Sequence, residues 1–547
     1  MKRHFIFTVL AVVLFATLPM EAQIRGFRQE QLKEWEFSKD GSDWQTVAVP
    51  HSYNAGDGHS PYYYRGKATY RCDLRITDVK KTHYVFFEGA AQAAVVKVNG
   101  EQVAIHKGGY TPFSVNITEA LRKGVNRLEV ICDNSEDVDM APVTSDFNKN
   151  GGLHNPVWLL VMEDVYLSPE DYGMYRLRCE TPVVTPKKVV TNVRAKLINS
   201  GNRDANILVR VQLLEADGRL GYQADREVPV GAFSEYDFDH EFILSGIHFW
   251  DGMKDPYLYT LRVELFKGKR MMDIAETKIG YRSIEMDPER GFILNGRPYP
   301  LRGVAMHQDS DGKASALTQS DYRRDYRIVK ELGANFLRLA HYPHNDFAFQ
   351  QCDSLGIIVQ TEVPWVNVCG EDATQAYFNN IQHQMKEMVS NLYNHPSIAF
   401  WGMWNELDTW GNNNDLQGQF DAERVARETE RLYDYTKGLD PDRFVGFTDC
   451  SRLARDGYKM LKGDFCSQNI YYGWYWTPND FSGLSSSMKK LHEMKPDMPF
   501  NVSEYGVGIN PYCHVWNPSD AIRDKDEDSK HYEEYGNRFH ESYVRQI

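Results

Sequence analysis

The sequence predicts a multidomain protein of the β plus α/β class, with two β-sandwiches followed by a parallel (β/α)8 TIM barrel. Short alternating runs of apolar and polar residues, separated by turn signals, fill the first half of the chain. After residue 290, apolar strands begin to alternate with amphipathic helical stretches. The 547 residues leave room for roughly three or four domains.

The first 22 residues have the layout of a secretory signal peptide. A basic start at residues 2–4 precedes an apolar stretch over 5–18, and Ala22 offers a small residue before a cleavage point. The apolar stretch is short for a membrane span. We therefore expect export, to the periplasm or the medium, with no membrane span once residues 1–22 are removed. An uncleaved anchor is the alternative.

The composition excludes some classes of protein. The net charge is −14 and no basic run follows the first residues, so the electrostatic footprint of a nucleic-acid-binding protein is missing. Thirty-two Tyr and eleven Trp suit the stacking of sugar rings, although large cores also use them. The eight cysteines are scattered and include no Cys-x-x-Cys, so they indicate neither a zinc site nor a small domain held together by disulfides. An oxidising compartment would permit one or two disulfides.

Residues 23–172 are predicted to form a jelly-roll β-sandwich. The runs KATYRCDLRI, HYVFFEGA, AAVVKVNGEQVAIH and RLEVIC have the pattern of strands, and no helical period interrupts them. Within the third run, Asn99-Gly100 is a strong signal for a hairpin turn. Many short strands with regular turns are typical of jelly rolls.

Residues 173–285 are predicted to form an immunoglobulin-like sandwich. VVTNVRAKLINS, ANILVRVQLLEA and YLYTLRVELF read as strands separated by polar turns. A segment of this length with about seven strands fits that architecture.

Residues 286–547 are predicted to form the TIM barrel, the catalytic domain. Seven strands can be found, ending near 306, 341, 363, 406, 449, 472 and 506. A charged helical stretch follows the seventh strand, and the sequence supplies no eighth. Such a barrel would expose sheet edges at one seam. We therefore interpret the sequence as a fragment that lacks strand eight, with a natural short form as the alternative.

Polar residues collect where these strands end, which is where TIM barrels carry their chemistry. For Glu406 taken alone, a strand end capped in water would be the ordinary interpretation. An inert barrel would not, however, place polar groups at the ends of six strands. The group comprises His307, Asp309, Arg338, His341, Glu362, Asn405, Glu406, Asn469, Tyr471 and Glu504, with Asp449 as a weaker addition.

Two of these carboxylates suggest a reaction. Glu406 closes strand four and Glu504 closes strand seven, so the two should face each other across the barrel mouth. A pair of carboxyl groups about 5 Å apart suits retaining glycoside hydrolysis, in which one attacks the anomeric carbon and the other protonates the leaving oxygen.

Ordinary structural roles compete with functional ones at several positions. Arg338 could form a structural ion pair with a strand-end carboxylate such as Glu504, which would keep that carboxylate ionised. His341 and His344 could be turn histidines, and Tyr471 could be a core residue. The alternatives stay open at the level of sequence.

Five stretches, in this order and spacing, resemble glycoside hydrolase family 2, which includes β-galactosidases, β-glucuronidases and β-mannosidases. They are FILNGRPYPLRGVAMHQDS, NFLRLAHYPH, WGMWNE, NIYYGWY and SEYG. The resemblance covers nearly all of the mature chain and implies the family's order of jelly roll, immunoglobulin-like domain and barrel.

The resemblance also implies roles for individual residues. Glu406 would be the general acid/base and Glu504 the nucleophile. Contacts to the sugar in the −1 subsite would come from Asn405, His341, Tyr471, His307 and Asn469, with Arg338 also in the substrate site. Asp146, in SDFNKNGGLHNPVWL, would reach a sugar hydroxyl from the jelly roll; its alternative role is to cap a loop between strands.

Departures from the family pattern bear on metals and on the sugar. Some family β-galactosidases carry a magnesium site after strands one and three, but MHQDSDG and TEVPWVNVCG lack the matching ligands. We therefore predict no required metal and no cofactor. In the family, a Trp at the end of strand eight packs beneath the −1 sugar, and the Asn-x-Lys motif of β-glucuronidases lies beyond that strand. Both positions fall outside this sequence.

The sequence thus predicts an exo-acting retaining β-glycosidase whose partner is an oligosaccharide or a polysaccharide-derived substrate. SEYGVG and WGMWNEL favour β-galactosidase over β-glucuronidase and β-mannosidase. The alternative outside the enzymes is a carbohydrate-binding protein that does not turn its ligand over. Such a protein would not need both Glu406 and Glu504. Homo-oligomerisation is left open.

Overall fold

A computed structural model gives the fold. It describes residues 28–547 apart from 61, 144, 146, 368–370, 408–420, 451–460, 511, 518, 520, 522–531 and 547. The predicted fold class is confirmed, with two antiparallel β-sandwiches followed by a parallel barrel. The predicted signal peptide and Asp146 lie outside the described residues.

The first sandwich packs a six-stranded sheet, in the order β3-β2-β4-β9-β6-β7, on a four-stranded sheet in the order β1-β10-β5-β8. Both Asn99 and Gly100 have positive φ, at 54° and 88°, as the predicted hairpin turn between β6 and β7 requires. The strands are β1 (Arg28–Gln31), β2 (Glu34–Ser38), β3 (Gln45–Ala48), β4 (Lys67–Ile76), β5 (Thr82–Phe87), β6 (Ala93–Val98), β7 (Glu101–Lys107), β8 (Phe113–Asn116), β9 (Gly124–Asp133) and β10 (Val157–Met162).

The second sandwich encloses its own apolar core between two four-stranded sheets. One sheet is β11-β13-β12 with β16 added to β13, and the other is β15-β14-β17-β18. The strands are β11 (Val165–Leu167), β12 (Arg178–Val184), β13 (Val189–Asn199), β14 (Ala205–Leu214), β15 (Leu220–Val230), β16 (Ser234–Leu244), β17 (Tyr259–Lys267) and β18 (Arg270–Ile279). Short 3-10 turns lie at Asp57–His59, Thr118–Ala120, Gly173–Tyr175 and Gly252–Lys254.

A small antiparallel sheet covers the N-terminal end of the barrel. Its Phe292 ring lies 5.5 Å from that of Phe400, and both belong to an apolar cluster that includes Phe336 and Phe465, the first residues of two barrel strands. This end is therefore closed by packing, which leaves the opposite end for polar side chains. The sheet consists of β19 (Ile284–Asp287), β20 (Gly291–Leu294) and β21 (Arg297–Pro298).

The barrel strands are all parallel and pair in chain order. Every residue of the fourth strand is buried, which explains why it reads as an unbroken apolar run. The strands are β22 (Gly303–Met306), β23 (Phe336–Leu339), β24 (Ile358–Glu362), β25 (Ile398–Asn405), β26 (Phe444–Asp449), β27 (Phe465–Asn469) and β28 (Phe500–Glu504). The helices are α1 (Gln319–Glu331), α2 (Asp346–Leu355), α3 (Gln375–Leu392), α4 (Ala422–Leu439), α5 (Gly483–Met494) and α6 (Glu533–Gln546).

The seam of the barrel is narrower than the sequence suggested. In the described part of the chain the sheet has seven strands, as predicted. The first and last of them, β22 and β28, nevertheless approach within 8 Å between Cα atoms, although no ladder joins them there. The barrel is thus nearly closed, because the strands curve far enough to bring the two edges together.

Helix ends follow local capping rules. Thr318 and Asp321 form a capping box at the start of α1, and Asn345 Oδ1 accepts from the N–H of Phe347 at 3.0 Å at the start of α2. Among the helices that the structure describes, none combines the length and the apolar character needed to cross a membrane.

The first sandwich docks directly on the barrel near its mouth. The ring of Tyr110 stacks on that of Tyr342 at 4.0 Å, and Asn345 Nδ2 donates to Glu88 Oε2 at 2.8 Å. Burial raises the pKa of Glu88 to about 7, partly offset by hydrogen bonds from Asn345 and Trp158. Loops of the sandwich therefore form one wall beside the strand ends.

Candidate active site

Glu406 lies where the chain leaves the fourth barrel strand. The N–H of Asn405 donates to the Trp365 carbonyl at 3.0 Å, and the N–H of Glu406 donates to the Thr448 carbonyl at 2.9 Å. Between these anchors Glu406 adopts a φ of +46°. Non-glycine residues seldom take this conformation, and such residues cluster at functional sites where neighbouring contacts hold them. The adjoining strands therefore fix the backbone under this carboxylate.

Asn469, the last residue of β27, connects Glu406 to Asn405. Its Nδ2 donates to Glu406 Oε1 at 2.6 Å and to Asn405 Oδ1 at 3.2 Å. Ser503 Oγ donates to Asn469 Oδ1 at 2.7 Å, which sets the orientation of the amide. One neutral side chain thus positions the Glu406 carboxylate against the end of β25.

Arg338, in β23, binds three side chains that end other strands. It is completely buried. Its Nε and Nη2 donate to the two carboxylate oxygens of Glu362 at 3.0 and 2.7 Å, and Nη1 donates to Glu504 Oε1 at 2.5 Å. Nη2 also donates to Asn405 Oδ1 at 2.8 Å. The ion pair with Glu504 that the sequence left open is therefore present, and the rigid fork of donors holds β24, β25 and β28 around one charge.

Glu504, at the end of β28, is the more accessible of the two acids bound to Arg338, with 19% of its side chain exposed. Tyr471 donates its hydroxyl proton to Oε2 at 2.5 Å, and His341 Nε2 lies 3.6 Å from Oε1. Burial by itself raises the pKa of Glu504, but the charges of Arg338 and His341 and the hydrogen bond from Tyr471 outweigh it and lower the pKa. Glu504 is therefore ionised at neutral pH.

Glu362 is buried beneath this site and balances the charge of Arg338. His341 Nδ1 donates to Glu362 Oε1 at 2.8 Å. Burial raises the pKa of Glu362, but the Arg338 charge and the hydrogen bonds from His341 and Arg338 outweigh burial and lower it to about 2. A Cβ added at Gly402 would lie 2.5 Å from the Glu362 Cβ, so only glycine leaves room for this side chain.

Aromatic rings from the first sandwich reach the same mouth. The Phe147 ring lies 5.4 Å from His307 and 5.7 Å from His341. His307 is a neutral group here, since burial and the neighbouring His341 and His344 lower its pKa to about 3. Phe147 therefore reaches the barrel mouth from the first sandwich.

The structure therefore brings together eight of the nine residues predicted for the site. Asn405, Glu406, Asn469, Arg338, Glu504, Tyr471 and His341 belong to one set of hydrogen bonds and ion pairs, and His307 joins them through its ring contact with His341. The ninth, Asp146, lies outside the described residues.

Other candidates from the strand ends have structural surroundings. His344 is buried and donates from Nε2 to the Ala340 carbonyl at 3.1 Å, which is the role of a turn histidine. Trp401 and Trp404, for which the sequence suggested no function, are completely buried core residues of β25. Asp309 is exposed.

Two features of this site were not identified from the sequence, the ring of Phe147 and the pairing of Glu362 with Arg338. Phe147 was missed, although its place beside Asp146 was a usable signal. Glu362 was noted as a strand end, but its partnership with Arg338 was not, because the two lie on different strands. Together the groups provide one carboxylate held ionised by a cation and a phenol, and a second carboxylate bound by an amide, which is an arrangement that can combine nucleophilic attack with proton transfer.

Three family descriptions match consecutive parts of the chain. "Glycosyl hydrolase 2 galactose-binding domain-like" matches residues 38–150, "Glycosyl hydrolases family 2" matches 175–282, and "Glycosyl hydrolases family 2, TIM barrel domain" matches 286–547. The last of these contains all the strand-end residues described above.

Individual relatives agree with these matches. A β-glucuronidase of Bacteroides fragilis is 30% identical over 518 residues, covering 92% of this chain and 71% of the relative. A β-galactosidase of Thermoanaerobacterium thermosulfurigenes is 27% identical over 504 residues, covering 89% and 64%. The crystal structure of a Bacteroides uniformis β-glucuronidase superposes with a TM-score of 0.87 at 28% identity, covering 95% of this chain and 63% of that one.

The chain spans less than two thirds of the length of two of these three proteins. The matches nevertheless run in one order through both sandwiches and the barrel, and they include the barrel mouth. The chain belongs to glycoside hydrolase family 2.

Proposed function

We propose that the protein is an exported, retaining exo-β-glycosidase that releases terminal non-reducing sugars from oligosaccharides or polysaccharide-derived substrates. The observation that supports this most is the single hydrogen-bonded network from Glu406 through Asn469, Asn405 and Arg338 to Glu504. Two carboxylates with different partners at one barrel mouth suit the two roles of double displacement.

In this mechanism Glu504 is the nucleophile. Arg338 and Tyr471 keep it ionised before it attacks the anomeric carbon and forms the glycosyl-enzyme. Glu406 protonates the departing glycosidic oxygen in the first step and takes a proton from water in the second.

Asn405 is suited to a supporting role toward the sugar. Its Oδ1 already accepts from Arg338 and Asn469, so the amide is oriented with Nδ2 as the donor toward an incoming hydroxyl. His307 and His341 line the same mouth and can bind further hydroxyl groups. A hydrogen bond to the 2-OH would strengthen as charge develops on the ring.

The relatives and the sequence motifs favour different glycones. The names of the relatives favour a β-glucuronide, because the B. fragilis and B. uniformis proteins are β-glucuronidases. SEYGVG and WGMWNEL, together with the T. thermosulfurigenes relative, favour a β-galactoside. Parallel assays with p-nitrophenyl β-glucuronide, β-galactoside and β-mannoside decide between them, and a kcat/KM ratio of at least about 100 for one substrate identifies it.

The test of the mechanism is covalent trapping. The protein made from its full reading frame is incubated with 2-fluoro glycosides of the three sugars, digested and analysed by mass spectrometry. Label on the peptide that carries Glu504 supports the proposal. A folded protein that binds sugar, carries no label and turns over none of the three substrates is a carbohydrate-binding protein instead.

Export is tested separately by cell fractionation. The proposal expects the mature N-terminus near residue 23 in the periplasm or medium, whereas retention of residues 1–22 on a membrane-bound protein supports an anchor.

A further inference from the structure

A second cluster of metal-binding side chains lies away from the barrel mouth, where β7 of the first sandwich meets helix α3. His383 and Glu387 are one turn apart on α3, and His106 comes from β7. One ligand atom from each of the three lies within 4.8 Å of the others. Both histidines point Nε2 at the same oxygen, Glu387 Oε1, at 2.9 Å from His106 and 3.0 Å from His383.

We propose that His106, His383 and Glu387 form a binding site for a divalent transition-metal ion of the zinc class, which bridges the first sandwich and the barrel. Two imidazoles with one carboxylate are a ligand set that zinc accepts, whereas calcium and magnesium prefer oxygen ligands alone. The site lies outside the proposed active site and departs from the sequence-based expectation of no metal.

The distances suit such an ion after small adjustments. Ligand atoms about 2.0–2.1 Å from a tetrahedral zinc lie roughly 3.3 Å from one another. The Nε2 atom of each histidine therefore needs to move away from Glu387 Oε1 by only a few tenths of an ångström. His383 can make the larger movement, since 55% of its side chain is exposed. That exposure also gives water access to the fourth position.

The other two ligands are held in place. Thr111 Oγ1 donates to Glu387 Oε2 at 2.5 Å, which occupies the far oxygen and turns Oε1 toward the histidines. The ring of His106 stacks on Phe113, with centroids 3.9 Å apart and planes 10° apart. Its Nδ1 has no hydrogen-bond partner among the described residues, so Nε2 is the nitrogen through which this buried ring interacts.

The surrounding interface is rigid. One turn before His383 on α3, Asn380 Nδ2 donates to the Lys107 carbonyl at 2.9 Å and Asn380 Oδ1 accepts from the N–H of Ala141 at 3.0 Å. Gln384 Nε2 donates to the Ala141 carbonyl at 2.9 Å. Because these bonds fix α3 against the sandwich, the backbone segments that carry the three ligands are in place before any metal arrives.

The experiment uses the protein from its full reading frame, without a polyhistidine tag and stripped of metal by a chelator. Zn²⁺ binding is measured by titration calorimetry, together with the melting temperature at saturating Zn²⁺. We expect one site per chain and a rise in melting temperature of at least about 2 °C. His383→Ala should weaken binding at least about 100-fold and abolish the rise, since it removes a ligand without disturbing a buried side chain.

The matched control is His492→Ala, which removes an exposed histidine from α5. It should bind Zn²⁺ as the unmodified protein does. The proposal is overturned if the unmodified protein binds no Zn²⁺, or if His383→Ala binds it with unchanged affinity and stoichiometry, which would place the ion at a cysteine or elsewhere. In either case the three side chains form only an ion-pair network.

Discussion

Arg338 Nη1 donates to Glu504 Oε1 at 2.5 Å, while the same guanidinium binds both carboxylate oxygens of Glu362. One buried cation is therefore shared between an acid at the barrel mouth and an acid beneath it. The sharing lowers the pKa of both acids, although burial acts in the opposite direction. The ion pair thus has a structural role and, at Glu504, an electrostatic role in the proposed chemistry.

Replacing Glu504 by Gln removes the proposed nucleophile with little change in shape. We expect kcat to fall at least about 10⁴-fold, while the circular dichroism spectrum and melting temperature change little. Glu493→Gln, an exposed change on α5, is the control and should keep full activity. Activity of Glu504→Gln within tenfold of the unmodified protein would contradict the assignment.

Replacing Glu406 by Ala removes the proposed acid. Substrates with acidic leaving groups, such as dinitrophenyl glycosides, need little protonation and should lose much less kcat/KM than alkyl glycosides or disaccharides. Steady-state kinetics across a series of leaving groups measures the difference. Equal losses on all substrates would exclude Glu406 as the acid.

Replacing Tyr471 by Phe removes one hydrogen bond to the ionised form of Glu504. The pKa of Glu504 should rise, so the acidic limb of the pH profile of kcat/KM should move up by about one pH unit. Tyr62→Phe, an 82% exposed position in the first sandwich, should leave the profile unchanged. An unmoved limb with a reduced kcat would mean that Tyr471 acts on the sugar alone.

Replacing Arg338 by Met leaves the buried Glu362 without its cation. We expect the free energy of unfolding to fall by about 3–5 kcal/mol, measured by urea denaturation. Adding Glu362→Gln to the same variant should restore part of the loss, because it removes the unpaired charge. Additive losses in the double variant would show that the two side chains do not depend on each other.

His395 gives the stability of the barrel a pH dependence. Its Nδ1 donates to Asp353 Oδ2 at 2.6 Å and its Nε2 to Asp346 Oδ1 at 2.9 Å. Burial by itself lowers the pKa of His395, but the two aspartates outweigh it and raise the pKa to about 10. Since the pKa is higher in the folded state, this stabilisation is complete below about pH 6.5 and is lost as the pH rises toward about 10.

The corresponding measurement is urea denaturation from pH 6 to pH 10. The unmodified protein should lose roughly 4 kcal/mol across this range from His395, and His395→Asn should lose much less. A parallel decline in both proteins would assign the pH dependence to other groups.

Much of the barrel could be predicted because its signals are local. Each buried parallel strand is an apolar run of a few residues, and each run ends in polar side chains at the mouth. The amphipathic stretches that alternate with these strands form helices such as Asp346–Leu355 and Gln375–Leu392. The conformation of Asn99-Gly100 likewise follows from two adjacent residues.

Contacts between distant parts of the chain were not accessible in the same way. Arg338 and Glu504 are 166 residues apart, and His106 and Glu387 are 281 apart. Nothing in the local pattern around either residue specifies which partner it meets. The same holds for Phe147, which reaches the barrel mouth from another domain.

The sequence by itself determined the order of the domains, the seven barrel strands and the side chains at their ends, because periodicity and turn chemistry act over a few residues. Only the tertiary structure decided which of those side chains share a proton or a charge. It also decided how nearly the barrel closes and where the two histidines meet Glu387. These relationships depend on strand curvature and on the docking of the first sandwich, which the whole packed core sets at once.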